Sequence, residues 1–351
     1  MSGEKTESSS AARERSAVRS TIIDVARVAK VSPATVSNTL NNRVNVDSAT
    51  RKRVLAAVRK LGYTPNLRAR RLRTGRADTI ALLSPMTFAI ASGPGRLGFM
   101  MEIAVAAAAS ALEKGVALVL VPPLHNGPTP LHDLHFDGAI VVEPLQNDPE
   151  VAMLQARGVT VVSIGRQPGK SAVPFVDMRP YESSSTAIRH LHQQASAKIG
   201  LVVGAQPRFT HRQAERAYRD FMQAHRSKAS VRRVDETQGA EGAYEATKSL
   251  LSQHPELDAL FVSVDAFAVG ARRAAAELGF GVPERLKIAT RYDGLLAREC
   301  DPPLTALNMH LDKLAALAVD LLFEHMSGDR SRRSVAGPAA MLVPRQSSAA
   351  A

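Results

Sequence analysis

Two helix-start signals lie eleven residues apart near the N-terminus, and that spacing constrains the fold more than any other feature of the chain. Thr21-Ile-Ile-Asp24 has the form of a capping box, in which a Thr side chain takes an orphan helix N–H and an acid three residues on answers it. Ser32-Pro33 repeats the signal, with Ser as N-cap and Pro at the first helical position, where a missing N–H costs nothing. The first helix must therefore end near Ala29 and the second must start almost at once, so the pair crosses steeply. Ala26, Ala29, Val31, Val36 and Leu40 fall where the two would share a core. Val54, Val58 and Leu61 give the inner stripe of a third helix, expected to be capped by Ser48 and ended at Gly62. The expectation is a helix-turn-helix on a support helix.

Charge gives this unit a partner. Residues 1–76 hold 17 Lys and Arg against 5 Asp and Glu, which is the whole net charge of +12; the rest of the 351 residues is balanced. A basic module on a neutral body is the electrostatic footprint of a phosphate-binding headpiece. In a helix-turn-helix the second helix enters the major groove with its N-terminal residues at base edges. Those residues are Pro33, Ala34 and Asn38: Asn pairs bidentately with adenine, and Ala packs on a thymine methyl. Ser32, Thr35, Ser37, Asn41 and Arg51 are placed for phosphates or the groove wall. A three-helix module that binds protein is the alternative, and 13 basic against 2 acidic residues over 21–76 favours DNA.

Residues 1–20 are rich in Ser, Arg and Glu without apolar periodicity and read as a disordered tail. Beyond Asp78 the texture becomes that of alternating strands and helices. Strands are expected at Thr79–Ser84, Val116–Val121, Gly138–Val142, Val159–Ile164, Phe175–Asp177, Ile199–Val203, Val231–Val234, Ala259–Val262 and Leu286–Thr290. Helical patterns between them include Gly98–Lys114, Tyr181–Gln193, Arg212–His225, Ala240–Ser252 and Phe267–Leu278. The series is too long for one doubly wound sheet and predicts two α/β lobes of parallel sheets flanked by helices, divided near 173–177. Gly328–Pro338 reads as a polar loop before a last strand at Met341–Val343. A lone cysteine, Cys300, forms no intramolecular disulfide and fits a reducing compartment. The longest apolar run, Ile103–Leu112, is too short to span a bilayer, so no membrane segment or export signal is expected and the location reads as cytoplasmic and nucleoid-associated.

The N-terminal region resembles the LacI/GalR family of bacterial transcriptional regulators. The resemblance runs through TIIDVARVAKVSPATVSNTLN, VDSATRKRV and LGYTPNLRARRLRTGRADTIALL, nearly unbroken over 21–84. It implies a headpiece at 21–64, a hinge at 65–76 and a periplasmic-binding-protein-like core at 77–345 that dimerises and holds a small effector between its lobes. It also implies a homodimer on a pseudo-palindromic double-stranded operator, in most members as a repressor. Lys30 stands where the family turn usually has Gly, so a left-handed backbone there carries a modest strain. Pro65–Arg73 corresponds to a segment that becomes helical on DNA; Asn66 and Arg70 belong to it, and Leu72 matches the wedge that opens a base step.

In the core the resemblance rests on shorter fragments, among them Phe136-Asp-Gly138, Tyr292-Asp-Gly294 and Pro302-Pro-Leu-Thr305. It implies effector contacts from Asp293 and Asp265, although Val264 replaces the Asn that usually precedes the latter. Ala214 stands at the position of the family's clamping Arg, leaving Arg212 or Arg216 to substitute, and Arg291 adds a donor beside Asp293. The implied ligand is small and polar, a sugar or sugar phosphate, with loss of small-molecule control as the alternative. Enzyme-like signals are weak. Gly93-Pro-Gly-Arg-Leu-Gly98 spells G-x-G-x-x-G, but no acid follows the next strand to hold a ribose. His125, His132, Asp133, His135 and Asp137 match no metal-ligand spacing, and Cys300 has no base beside it. No catalytic residue, cofactor or metal is expected; an α/β enzyme with a basic arm is the least supported alternative.

Overall fold

The computed structural model describes residues 20–40, 46–63, 77–87, 98–121 and 131–349. Chain contacts divide it into an N-terminal unit ending at Gly75 and a second unit beginning at Arg76.

The first unit is three helices, α1 (Ile22–Ala29), α2 (Pro33–Leu40) and α3 (Ser48–Leu61). The Thr21–Asp24 capping box is formed in both directions, and Ser32 Oγ accepts the Thr35 N–H at 3.1 Å. Lys30 ends α1 in the left-handed conformation, φ 52° and ψ 50°, and its N–H turns back to Ala26 and Arg27 carbonyls. That left-handed residue is what allows α2 to start so soon. The cap of α3 differs from expectation: Asp47, not Ser48, is the N-cap, because its extended backbone lets its carboxylate reach the Thr50 N–H at 2.9 Å while Ser48 enters the first turn. Val25, Ala26, Ala29, Val36, Val54 and Ala57 are buried together, with Val31, Leu40, Val58 and Leu61 packed around them. The expected core is present, extended by Val25 and Ala57.

The second unit has two parallel sheets. One holds β1 (Thr79–Leu83), β2 (Ala117–Val121), β3 (Gly138–Val142), β4 (Thr160–Ile164), β5 (Phe175–Asp177) and a late strand β11 (Ser334–Ala336), in the order β11-β5-β4-β3-β1-β2. The other holds β6 (Ile199–Gly204), β7 (Ser230–Val234), β8 (Ala259–Val262) and β9 (Lys287–Thr290), in the order β7-β6-β8-β9. Helices α4 (Phe99–Glu113), α5 (Pro149–Ala156) and α11 (Leu311–Ser327) pack on the first sheet. The second is flanked by α6 (Pro180–Gln193), α7 (Phe209–Ala224), α8 (Gly239–Gln253) and α9 (Asp265–Glu277), with short α10 (Leu295–Glu299) against α9. Strand β10 (Ala306–Asn308) pairs antiparallel with β12 (Met341–Val343).

The nine expected core strands are all present. Several features were not anticipated, among them strand β10 and helix α11. The Gly328–Pro338 stretch is not simply a loop, since Ser334–Ala336 forms β11 and pairs in parallel with β5. An edge strand exposed at both outer residues needs no apolar alternation, so nothing in Ser-Val-Ala announces it. Helix α7 begins at Phe209, a turn before Arg212, with Arg208 as its N-cap. Gly270 lets α9 lie directly on α8: a Cβ there would stand 2.1 Å from the Ala240 carbonyl oxygen.

Candidate functional site

In the first unit the exposed start of α2 presents Ser32, Pro33 and Ala34, with Thr35, Ser37 and Asn38 half-buried along the helix and Arg51 half-buried in α3. Ser32 is already engaged: its hydroxyl caps α2 and lies 2.9 Å from the Thr35 hydroxyl. Thr39 turns its hydroxyl back onto the Thr35 carbonyl at 2.8 Å, and Val36 faces inward, so α2 has one face in the core and one outside it. Asn41, Asn66, Arg70 and Leu72 lie outside the described residues.

In the second unit one cavity of about 70 Å³ opens between the two sheets. Its polar side chains nearly all follow the carboxyl ends of parallel strands. Glu143 follows β3, Arg208 the loop after β6, Glu236 β7, Ser263 and Asp265 β8, and Arg291 with Tyr292 β9. This is where open parallel sheets converge their loops on a ligand.

Arg208 is the centre of the arrangement and is 2% exposed. Its Nη2 donates to Glu236 Oε2 at 3.0 Å, and its Nε donates to both oxygens of the same carboxylate at 3.2 and 3.3 Å. The same guanidinium crosses to the other lobe, where it donates to the Pro85 carbonyl at 3.1 Å and to the Glu143 carbonyl. Arg291 donates to Glu143 Oε1 at 2.9 Å, again across the lobes. Thr87 donates its hydroxyl to the Glu236 carbonyl at 2.8 Å, and Tyr292 donates to Glu102 at 2.8 Å. The lobes are thus closed on each other by the chain's own side chains.

Burial pushes the Glu143 carboxyl up, but Arg291, His211 and Arg208 together outweigh it and hold it below the usual carboxylate range. Burial also lowers the His211 imidazole, against the pull of Glu236 and Glu143, and its Nδ1 stands 3.3 Å from Glu236 Oε1. Glu143 stands at φ 53°, a left-handed conformation that costs a non-glycine residue about 1–2 kcal/mol and turns its side chain toward the cavity. Gly204 makes room for the pair beside it: a Cβ there would meet His211 Cε1 at 2.2 Å.

Of the expected cleft residues, Arg291 and Asp265 line the cavity and three do not. Asp293 is held away by ion pairs to Arg345 at 2.6 Å and Arg298 at 3.2 Å. Arg212 reaches Gln146 at 2.7 Å on the surface, and Arg216 is paired with Asp220 on the exposed face of α7. The reason is the register of α7: Arg212 and Arg216 lie on the helix body, whereas Arg208 sits at its start and points inward. Arg208, Glu143, Glu236, His211 and Ser263 were not anticipated. The available signal was their position, a charged or hydroxyl residue one to four positions after a strand, or in the case of His211 the first turn of the helix that follows. Among the described residues no three His, Cys, Asp or Glu side chains gather as metal ligands, and no helix is long and apolar enough to cross a membrane.

Comparison with known proteins gives two family matches: bacterial regulatory proteins of the lacI family over residues 21–66, and a periplasmic binding protein-like domain over 188–348. The chain is 30% identical over 330 residues to an uncharacterized HTH-type transcriptional regulator in the aml 5'region of Streptomyces limosus, covering 89% of this chain and 90% of that one. It is 28% identical over 325 residues to the HTH-type transcriptional regulator CelR of Thermobifida fusca, covering 89% and 93%. It is 29% identical over 327 residues to the HTH-type transcriptional repressor PurR of Escherichia coli, covering 88% and 91%. Among solved structures, a CelR–cellobiose complex superposes with a TM-score of 0.68 at 25% identity, covering 94% of this chain and all of that one. The lac repressor dimer bound to operator and the anti-inducer ONPF shares the fold, with a TM-score of 0.77 at 23% identity over 94% and 99%.

Proposed function

Because this chain belongs to the lacI family of bacterial regulatory proteins, whose members are DNA-binding transcriptional regulators rather than enzymes, we propose that it is a cytoplasmic repressor acting as a homodimer on a pseudo-palindromic operator. The observation that carries this reading is the capped α1–α2 pair with the start of α2 exposed on a strongly basic unit. Asn38 and Ala34 read base edges, Ser37, Thr35 and Arg51 meet the backbone, and Pro33 opens the helix that enters the groove. Residues 21–64 form the headpiece, 65–76 the hinge with Asn66, Arg70 and Leu72, and 77–345 the effector and dimerisation core. Dimerisation is supported by α4, where Met101, Val105 and Leu112 are exposed on a helix packed beside the sheet edge.

The interlobe cavity is the effector site. Support comes from the convergence of strand ends on it and from the CelR relative, whose solved complex holds cellobiose. A ligand shifts the DNA-competent population only by its differential affinity for the two lobe arrangements, typically about 1–3 kcal/mol. The test is selection of binding sites from random duplexes with the full chain, followed by operator titrations across salt. The expected result is a two-fold symmetric site whose affinity falls steeply with salt. Equal affinity from a chain lacking residues 1–76 overturns the reading.

A further inference from the structure

The cavity between the lobes contains two guanidiniums, and both are already spent. Arg208 is matched by Glu236 and Arg291 by Glu143, each pair buried and within 3.0 Å. An anionic ligand would have to displace a carboxylate from a buried partner and leave that carboxylate unpaired, a costly exchange. What remains unspent is different in kind. Asp265 lines the cavity, and its carboxylate accepts from backbone alone, the Ala266 N–H at 2.9 Å and its own N–H, with no cation in ion-pair reach among the described residues. Ser263, two residues before it and 3% exposed, lines the same cavity with a hydroxyl that finds no partner. The wall around them is apolar: Phe99 and Tyr292 meet edge to face at 5.5 Å, and Met86, Met100 and Met309 complete it.

Charge decides what fits. Two arginines stand against three acids; they are matched by Glu236 and Glu143, so Asp265 is the cavity carboxylate without a cation partner. The start of α9 returns at most about half a charge. An ammonium placed between Asp265 and Ser263 satisfies both and can lie against the aromatic wall.

We propose that the cleft selects a compact amine-bearing ligand, positively charged at neutral pH, whose nitrogen pairs with Asp265 and Ser263 and whose apolar or ring body packs on Phe99 and Tyr292. The proposal rests on the reading of the cavity as the effector site and sharpens it. Neutral sugars lack the charge, and sugar phosphates carry the wrong one.

Burial raises the Asp265 carboxyl to about 6, so an ammonium that needs it ionised binds well above that pH and poorly below it. The other titratable or charged groups facing the cavity are Glu143, held below the usual carboxylate range, His211, lowered by burial, Tyr292, raised by burial, and Glu236, Arg208 and Arg291 in the buried pairs. The experiment uses the full chain and matched sets differing in one group: glucosamine, glucose and glucose 6-phosphate; benzylamine, benzyl alcohol and benzoate. Calorimetry measures binding, and anisotropy with the selected operator measures its effect.

The expected result is that the amine of at least one set binds about tenfold or more tighter than its alcohol and its anion, and loses about tenfold in Asp265→Asn and in Ser263→Ala. If a neutral or anionic member binds as tightly as its amine, the amine assignment is overturned while the effector site stands. If an amine binds equally to the parent and both variants, the pairing with Asp265 and Ser263 is overturned. If no member of either set binds the folded parent chain, the amine assignment falls. If ligands bind the cavity without changing operator affinity, it is the effector reading that fails. Because the comparison within each set uses the parent protein, it stands even where a variant folds poorly.

Discussion

Arg208 and Glu236 form a two-pronged ion pair inside the second unit, and the same guanidinium holds two backbone carbonyls of the opposite lobe. One residue therefore ties the two lobes and neutralises the deepest acid in the cleft. Removing the cation strands a buried carboxylate. Arg208→Ala is expected to destabilise the core by about 3–5 kcal/mol, and adding Glu236→Gln is expected to recover a substantial part. Urea unfolding of parent, single and double variants measures this; a loss unchanged in the double variant would show that the pair is not the source.

Lys30 occupies a left-handed position without being glycine. Lys30→Gly relieves about 1–2 kcal/mol of steric cost and returns part of it as unfolded-chain entropy, so the first unit should gain about 0.5–1 kcal/mol. Thermal melting of the headpiece transition reads the gain, and a lower midpoint contradicts the strain argument.

Asn38, proposed to read a base, and Arg51, proposed to hold the backbone, are separable by substitution. Asn38→Ala is expected to relax preference at one base pair per half-site by about 1–3 kcal/mol, whereas Arg51→Ala weakens all sequences alike. Competition binding against single-substituted operators distinguishes them. Retained preference at every position in Asn38→Ala removes that residue from base reading.

Glu150 sits in the first turn of α5 with one oxygen buried and unpartnered, and burial together with Asp148 raises its carboxyl to about 7. The folded state then holds a proton that the unfolded chain releases at lower pH, so stability falls as pH rises from about 4.5 to 7. Glu150→Gln should raise the melting temperature at pH 8 and leave it unchanged at pH 4. Partial exposure limits the gain to about 1–2 kcal/mol. An equal effect at both pH values would place its origin elsewhere.

On α4, Val105 and Leu112 are 64% and 66% exposed. If this face is the dimer contact, Val105→Asp should shift the chain toward monomer and weaken operator binding by more than tenfold, the energy of one buried charge without a partner. Analytical ultracentrifugation decides it; an intact dimer relocates the interface.

The sequence by itself determined the headpiece. A capping box, Pro at a first turn and a left-handed Lys30 act within a few residues of one another, so α1 to α3 and their shared core followed from local chemistry, apart from a cap shifted from Ser48 to Asp47. The parallel strands were legible for a similar reason: nearly continuous apolar runs bury both faces. The edge strand β11 and the cleft were not. β11 exists only because β5 offers it a backbone edge more than 150 residues away in sequence. Asp293, expected in the cleft, is drawn off by Arg345 and Arg298, and Arg208, unremarked in the sequence, is drawn in by Glu236. A charged side chain long enough to reach several partners takes the one that best offsets its desolvation. Which partner that is depends on where loops from separate strands meet, and only the tertiary structure fixes that.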